Sequence, residues 1–148
     1  MAISLNPTRV EGRSSKRRTS LQSPEERIKL TENLGETTKL MIQLSLLLNI
    51  LVLIPVCAGI ARNADWARES YGEKTPARGI LHSIYFAILI CSAMLLAHPR
   101  NDAVAALLFV QIVYKLTTPL TVGTLRNPVV ISNLFIAVFH VATLTVIF

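Results

Sequence analysis

The sequence predicts an all-α polytopic membrane protein: four transmembrane helices in a bundle, preceded by a short surface helix and a basic tail. Three observations carry this reading. Four long stretches carry at most one charge each, and each is long enough to cross a hydrocarbon core of about 30 Å. Hydrophobic residues make up 51% of the chain and its mean hydropathy is +0.48, more apolar surface than a soluble domain of 148 residues hides. Charge is segregated: of 15 Lys and Arg residues, eight precede position 40, and only Lys115 and Arg126 follow Arg100.

Residues 1–22 are rich in Ser, Arg and Lys and poor in large apolar side chains, so disorder is expected there. No apolar core of a secretory signal precedes Lys39, and Ala2 excludes N-myristoylation. Residues 9–20 are Arg- and Ser-rich with Glu11 as their one acid, which keeps a mitochondrial inner membrane as the alternative to the favoured bacterial inner membrane. Arg13, Lys16, Arg17, Arg18 and Lys39 are assigned to setting topology or to anionic lipid headgroups, which attract a nearby cation by about 1 kcal/mol. Nucleic acid is not an expected partner.

Ser23-Pro24-Glu25-Glu26 has the form of a capping box with proline at the first helical position, and starts a cytoplasmic or interfacial helix over 23–39. Glu25 and Lys29 are spaced to pair, Ile28 and Leu34 are free for an interface, and Gly35 is expected to break the helix before the membrane. Residues 40–61 are uncharged over about 33 Å of helix, with Pro55 as an expected kink. A polar loop, 62–78, presents Trp66 and Tyr71 as headgroup anchors. The second span, 79–97, holds His82, Tyr85 and Ser92, and after a turn at 98–102 Asp102 is placed to cap the next helix. The third span, 103–125, has Lys115 near its middle and Pro119 and Gly123 in its far half; 129–148 forms the fourth. No GxxxG motif and no internal repeat occur.

With four spans the tail, the turn at Arg100 and the C-terminus share a side. Basic residues number nine there against five opposite over the whole chain, but within about 20 residues of a membrane end only Arg27, Lys29, Lys39 and Arg100 stand against the five; the full count favours a cytoplasmic N-terminus.

Polar residues inside apolar runs are the candidate contacts. Lys115 has no Asp or Glu inside any of the four runs to pair with, which leaves a ligand, a lipid headgroup, a partner subunit or snorkelling to explain it. Gln111 stands one turn before it and Thr118 one turn after. His140 and Asn133 lie seven apart on one face of the fourth span, and with Asn49 and Tyr85 they can converge on Lys115. Interhelical hydrogen bonding is the plainer role for this set.

His82 is close enough in sequence depth to meet Asp65, Glu69 or Glu73. The three histidines differ in depth and lack close-spaced partners, so neither metal nor cofactor is expected. Cys57 and Cys91 also differ in depth, against a disulfide. Without a GxSxG, HExxH, P-loop or dinucleotide motif no enzyme is expected.

The layout over 40–148 resembles the DoxX-like group of small bacterial four-helix membrane proteins. The likeness lies in a first span, a polar loop with an aromatic, and Tyr71-Gly72 with Pro76-Ala77-Arg78-Gly79 leading into Ile84-Tyr85-Phe86. The resemblance implies the fold more than an activity, although members of such groups are often linked to respiratory and redox membrane systems. The functional expectation is an accessory subunit of a larger membrane complex; the alternatives are a binder or carrier of a quinone-like or lipid molecule and a membrane enzyme using His82 or His140 as a general acid or base, for which no paired nucleophile or acid is found.

Overall fold

The computed structural model describes residues 23–148; the tail 1–22, with Arg13, Lys16, Arg17, Arg18 and the disorder expected for them, lies outside the described residues. Five helices follow in order: α1 (Pro24–Ala61), α2 (Asp65–Tyr71), α3 (Pro76–Ala97), α4 (Asn101–Val122) and α5 (Pro128–Ile147). The chain is all-helical over these residues, and four helices, all but α2, are long and apolar enough to cross a membrane.

Three helices begin the same way, with a side-chain cap followed by proline. The Ser23 hydroxyl accepts from the Glu26 amide at 3.3 Å while the Glu26 carboxylate accepts from the Ser23 amide at 3.1 Å, completing the capping box. Thr75 accepts from the Arg78 amide ahead of Pro76, and Asn127 from the Val129 amide around Pro128. Proline fits there because the first helical N–H has no intrahelical acceptor to lose.

Several boundaries differ from the sequence reading. Gly35 does not break the chain, so the surface helix and the first span are one helix of 38 residues. A glycine costs about 1 kcal/mol in a helix interior, but stopping a helix takes a left-handed residue or a proline, and 36–40 offers no proline. Gly123 shows the contrast: at φ 72° it is a left-handed cap, and α4 ends at Val122 rather than Leu125. Pro55 sits inside α1, which continues to Ala61. The 62–78 loop contains α2. Asp102 does not cap α4, because Arg100 occupies the cap and Asp102 pairs with it at 2.9 Å. Glu25 and Lys29 form no pair; the ion pairs among the described residues are Arg68–Asp65 and Arg100–Asp102.

The long helices alternate in direction. α1 packs against α3 on one side and α5 on the other, and α5 packs against α4, while α3 and α4 touch little. The ring is therefore closed firmly on three sides and thinly on the fourth. Its interior has two apolar clusters. Ile42, Leu46, Val104 and Leu108 pack where α1 enters the ring and α4 begins. Leu53, Cys57, Ile60, Ala67, Tyr85 and Ile88 pack at the α2 end. There α2 folds back over the ring, with the Trp66 indole lying directly on Gly59, where any side chain would collide with it.

Candidate functional site: a pocket and the polar layer beneath it

Apolar helices can hide polar side chains only where neighbouring helices supply partners. Asn49, Ser92, Gln111, Lys115, Asn133, His140 and Thr143 are all buried, against apolar outward faces bearing residues such as Leu51, Phe86, Phe109 and Phe135.

The deeper group is a layer with one polar residue from each long helix. Asn49 of α1 donates to the Ser92 hydroxyl of α3 at 3.2 Å, and its carbonyl oxygen lies 3.1 Å from His140 Nε2 of α5. Gln111 of α4 completes the layer. It stands two turns before Thr118 and His140 two turns after Asn133, and in these antiparallel helices Asn133 donates to Thr118 at 3.5 Å. Neither polar atom of the Gln111 amide has a partner among the described residues, nor does His140 Nδ1. One turn further on, Ser45 and Thr143 hydroxyls meet at 2.7 Å.

The upper group surrounds a cavity of about 400 Å³ between α2, α3, α4 and α5. All three tyrosines of the chain, Tyr71, Tyr85 and Tyr114, line it. Thr118, Asn127 and Asn133 add hydrogen-bonding groups, while Leu81, Val122, Val129 and Val130 supply apolar wall. Tyr71 and Tyr85 meet edge to face, their centroids 6.0 Å apart. The Tyr114 hydroxyl is buried without a partner among the described residues. Burial, then the neighbouring Tyr85, hold the Tyr71 hydroxyl well above the usual phenol range.

Lys115 joins the two groups. Only 4% exposed, it donates to Asn133 Oδ1 at 3.2 Å and lies 4.8 Å from the centre of the Tyr114 ring. It points inward and does not snorkel.

The lid over the cavity is held by residues the sequence reading passed over. Arg78 is 4% exposed and donates to Asn63 Oδ1 at 2.9 Å, the Gly72 carbonyl at 2.8 Å and the Ile60 carbonyl at 3.4 Å. The Asn127 amide donates to the Ser70 carbonyl at 3.0 Å. A signal existed: Arg78 begins an apolar run, next to Gly79.

Of the expected convergence, Asn49 and His140 meet at 3.1 Å and Lys115 stands about one turn from their layer, while Tyr85 lies about two turns from Ser92, toward α2. Gln111 and Asn133 divide the same way. Tyr71 is turned inward rather than serving as an outward anchor, since α2 folds its ring onto Tyr85; Trp66 remains 45% exposed. Lys39 is exposed on α1. His82 makes no hydrogen bond or ion pair with Asp65, Glu69 or Glu73 and instead borders a surface cavity with Lys74, Thr75 and Arg78. Among the described residues no three of His, Cys, Asp and Glu come together as metal ligands. Cys57 is buried, Cys91 exposed, and both are free.

Compared with known protein families, curated proteins and solved structures, the chain matches none.

Proposed function

We propose that the chain is a four-pass integral membrane protein that binds or carries a lipophilic molecule between its helices, without catalysing a reaction. The observation that carries this is the tyrosine-lined cavity backed by the inward-facing Lys115. Binding sites for small molecules are mostly apolar concavities with a few convergent polar groups, and this one has both. A quinone-like or lipid ligand suits it, its head among Tyr85, Tyr114 and Asn133. The tail count favours a cytoplasmic N-terminus in a bacterial inner membrane, with the mitochondrial inner membrane as the alternative. The resemblance to DoxX-like proteins supports the layout alone.

The test is to purify the full chain in mild detergent, extract it with organic solvent and identify what it carried. A lipophilic molecule near one per chain is expected, and Thr118→Trp, which fills the cavity, should abolish it while the protein stays helical and monodisperse. Equal recovery from both proteins would overturn the reading.

A second reading, an accessory subunit docking on a larger complex, draws on the first part of α1. Ile28, Leu30 and Leu34 are 66%, 49% and 58% exposed along that extension. It predicts copurification with larger partners after gentle extraction, and recovery only as a free monomer counts against it.

A further inference from the structure

The cavity is uneven in charge. Every acidic residue among the described ones is exposed, and the two ion pairs among them lie at the surface. Two cations are buried, Lys115 and Arg78. Arg78 is surrounded by oxygens, two main-chain carbonyls and the Asn63 side chain. Lys115 has one oxygen, Asn133 Oδ1, and the face of the Tyr114 ring. An ammonium has three N–H donors, so two remain unused by any side chain or carbonyl among the described residues. Asn133 and Tyr114, the two groups that hold the ammonium, both line the cavity, while Lys115 itself is not part of its wall. The Tyr114 hydroxyl at the same wall is a further buried donor without a partner.

We infer that the cavity takes an amphiphile whose head is an anionic oxygen group, a carboxylate or a phosphate ester, with Lys115 as its counter-ion and the tyrosine hydroxyls as neutral donors. The inference rests on the carrier reading and narrows it. A buried cation without an acid is costly, and an anionic head removes that cost at the moment of binding. A buried cation one residue behind the wall attracts an oxyanion over a neutral oxygen by its charge alone, and the unpartnered Tyr114 hydroxyl can donate to it. The tail leaves between α3 and α4, the neighbouring long helices whose backbones approach each other least, where Leu81 of α3 and Val122 of α4 border the cavity. A cavity of about 400 Å³ holds the head and the start of a chain, and the rest lies along the seam in lipid.

The test is a competition on the full-length protein in a neutral detergent, read by native mass spectrometry. Oleate, oleoyl lysophosphatidate and oleyl alcohol are added in equal amounts. One or both anions should exceed the alcohol in adduct intensity by about tenfold, the dominant one telling carboxylate from phosphate. Lys115→Met should reduce that preference to about one with the alcohol adduct retained, and Lys115→Arg should keep it. Alcohol binding as well as the anions to the wild type, or an unchanged preference in Lys115→Met, overturns the anionic head and leaves the carrier reading standing. No adduct with any of the three overturns both. The wild-type competition is decisive without any variant, so a misfolded Lys115→Met does not shelter the idea.

Discussion

The two ends of the helical ring are built from the same four helices and each holds an apolar cluster, yet only one of them also holds a cavity. Away from α2, Ile42, Leu46, Val104 and Leu108 are 0–3% exposed and interlock, with Leu95, Leu96, Leu144 and Ile147 packed around them. Toward α2 the facing positions carry tyrosine, threonine and asparagine, and a cavity remains under the lid. Close-packed aliphatic side chains leave no gap, whereas aromatic and polar ones placed at the same layer must keep their hydrogen-bonding geometry and cannot collapse onto each other. A sealed end and an open end therefore follow from side-chain choice alone.

This contrast can be broken at either end. The largest effect belongs to the sealed end: Leu46→Ala should cost about 2–5 kcal/mol in reversible unfolding, with ligand recovery per folded protein unchanged. At the open end, Arg78→Met removes three hydrogen bonds from a charged group and should cost about 2–3 kcal/mol. Its signature is local, with amide exchange rising in residues 62–75 while α4 and α5 stay protected. Loss of protection spread evenly over the protein would refute the view of Arg78 as the lid's fastening. Between the ends, Asn49→Leu strips the central layer of two side-chain contacts and should cost only about 0.6–1.7 kcal/mol, the range for hydrogen bonds between membrane helices.

The smallest effect is a titration. Folding raises the Tyr71 pKa, so the neutral phenol is the form the docked lid holds. That contribution is complete below the ordinary phenol value, about 10, and is lost as pH rises through the higher folded value. Subtracting the phenolate absorbance titration of Tyr71→Phe from that of the wild type should show no step near the ordinary value. A full step there would mean that α2 does not cover Tyr71 in solution.

Much of the fold was legible because lipid-length runs and capping motifs are local signals. The Ser23 capping box formed as read, and each long helix covers its predicted run to within three residues at every boundary except the start of α1. For Lys115 the sequence left snorkelling open, whereas Gln111, Asn49, Asn133 and His140 were legible as a set that could meet inside the bundle, since polar groups in an apolar run have few alternatives. Their division into levels was not, because it depends on how far each antiparallel helix is shifted against the next. The lid was hidden for another reason: α2 lacks a side-chain cap at Ala64, so what keeps it helical lies in Trp66 on Gly59 and Arg78 beneath, contacts between distant parts of the fold. The tyrosines likewise sit on three different helices, and nothing in their spacing announces a shared wall.

The unbroken α1 has a mechanical consequence. Its residues 24–39 precede the first span by roughly 24 Å of continuous helix, at 1.5 Å and 100° per residue. Whatever attaches near Ser23 is held at a set height and a set compass bearing relative to the bundle. Adding one alanine before Leu40 would swing that attachment by over a quarter turn while lifting it hardly at all; adding seven would lift it and restore its bearing.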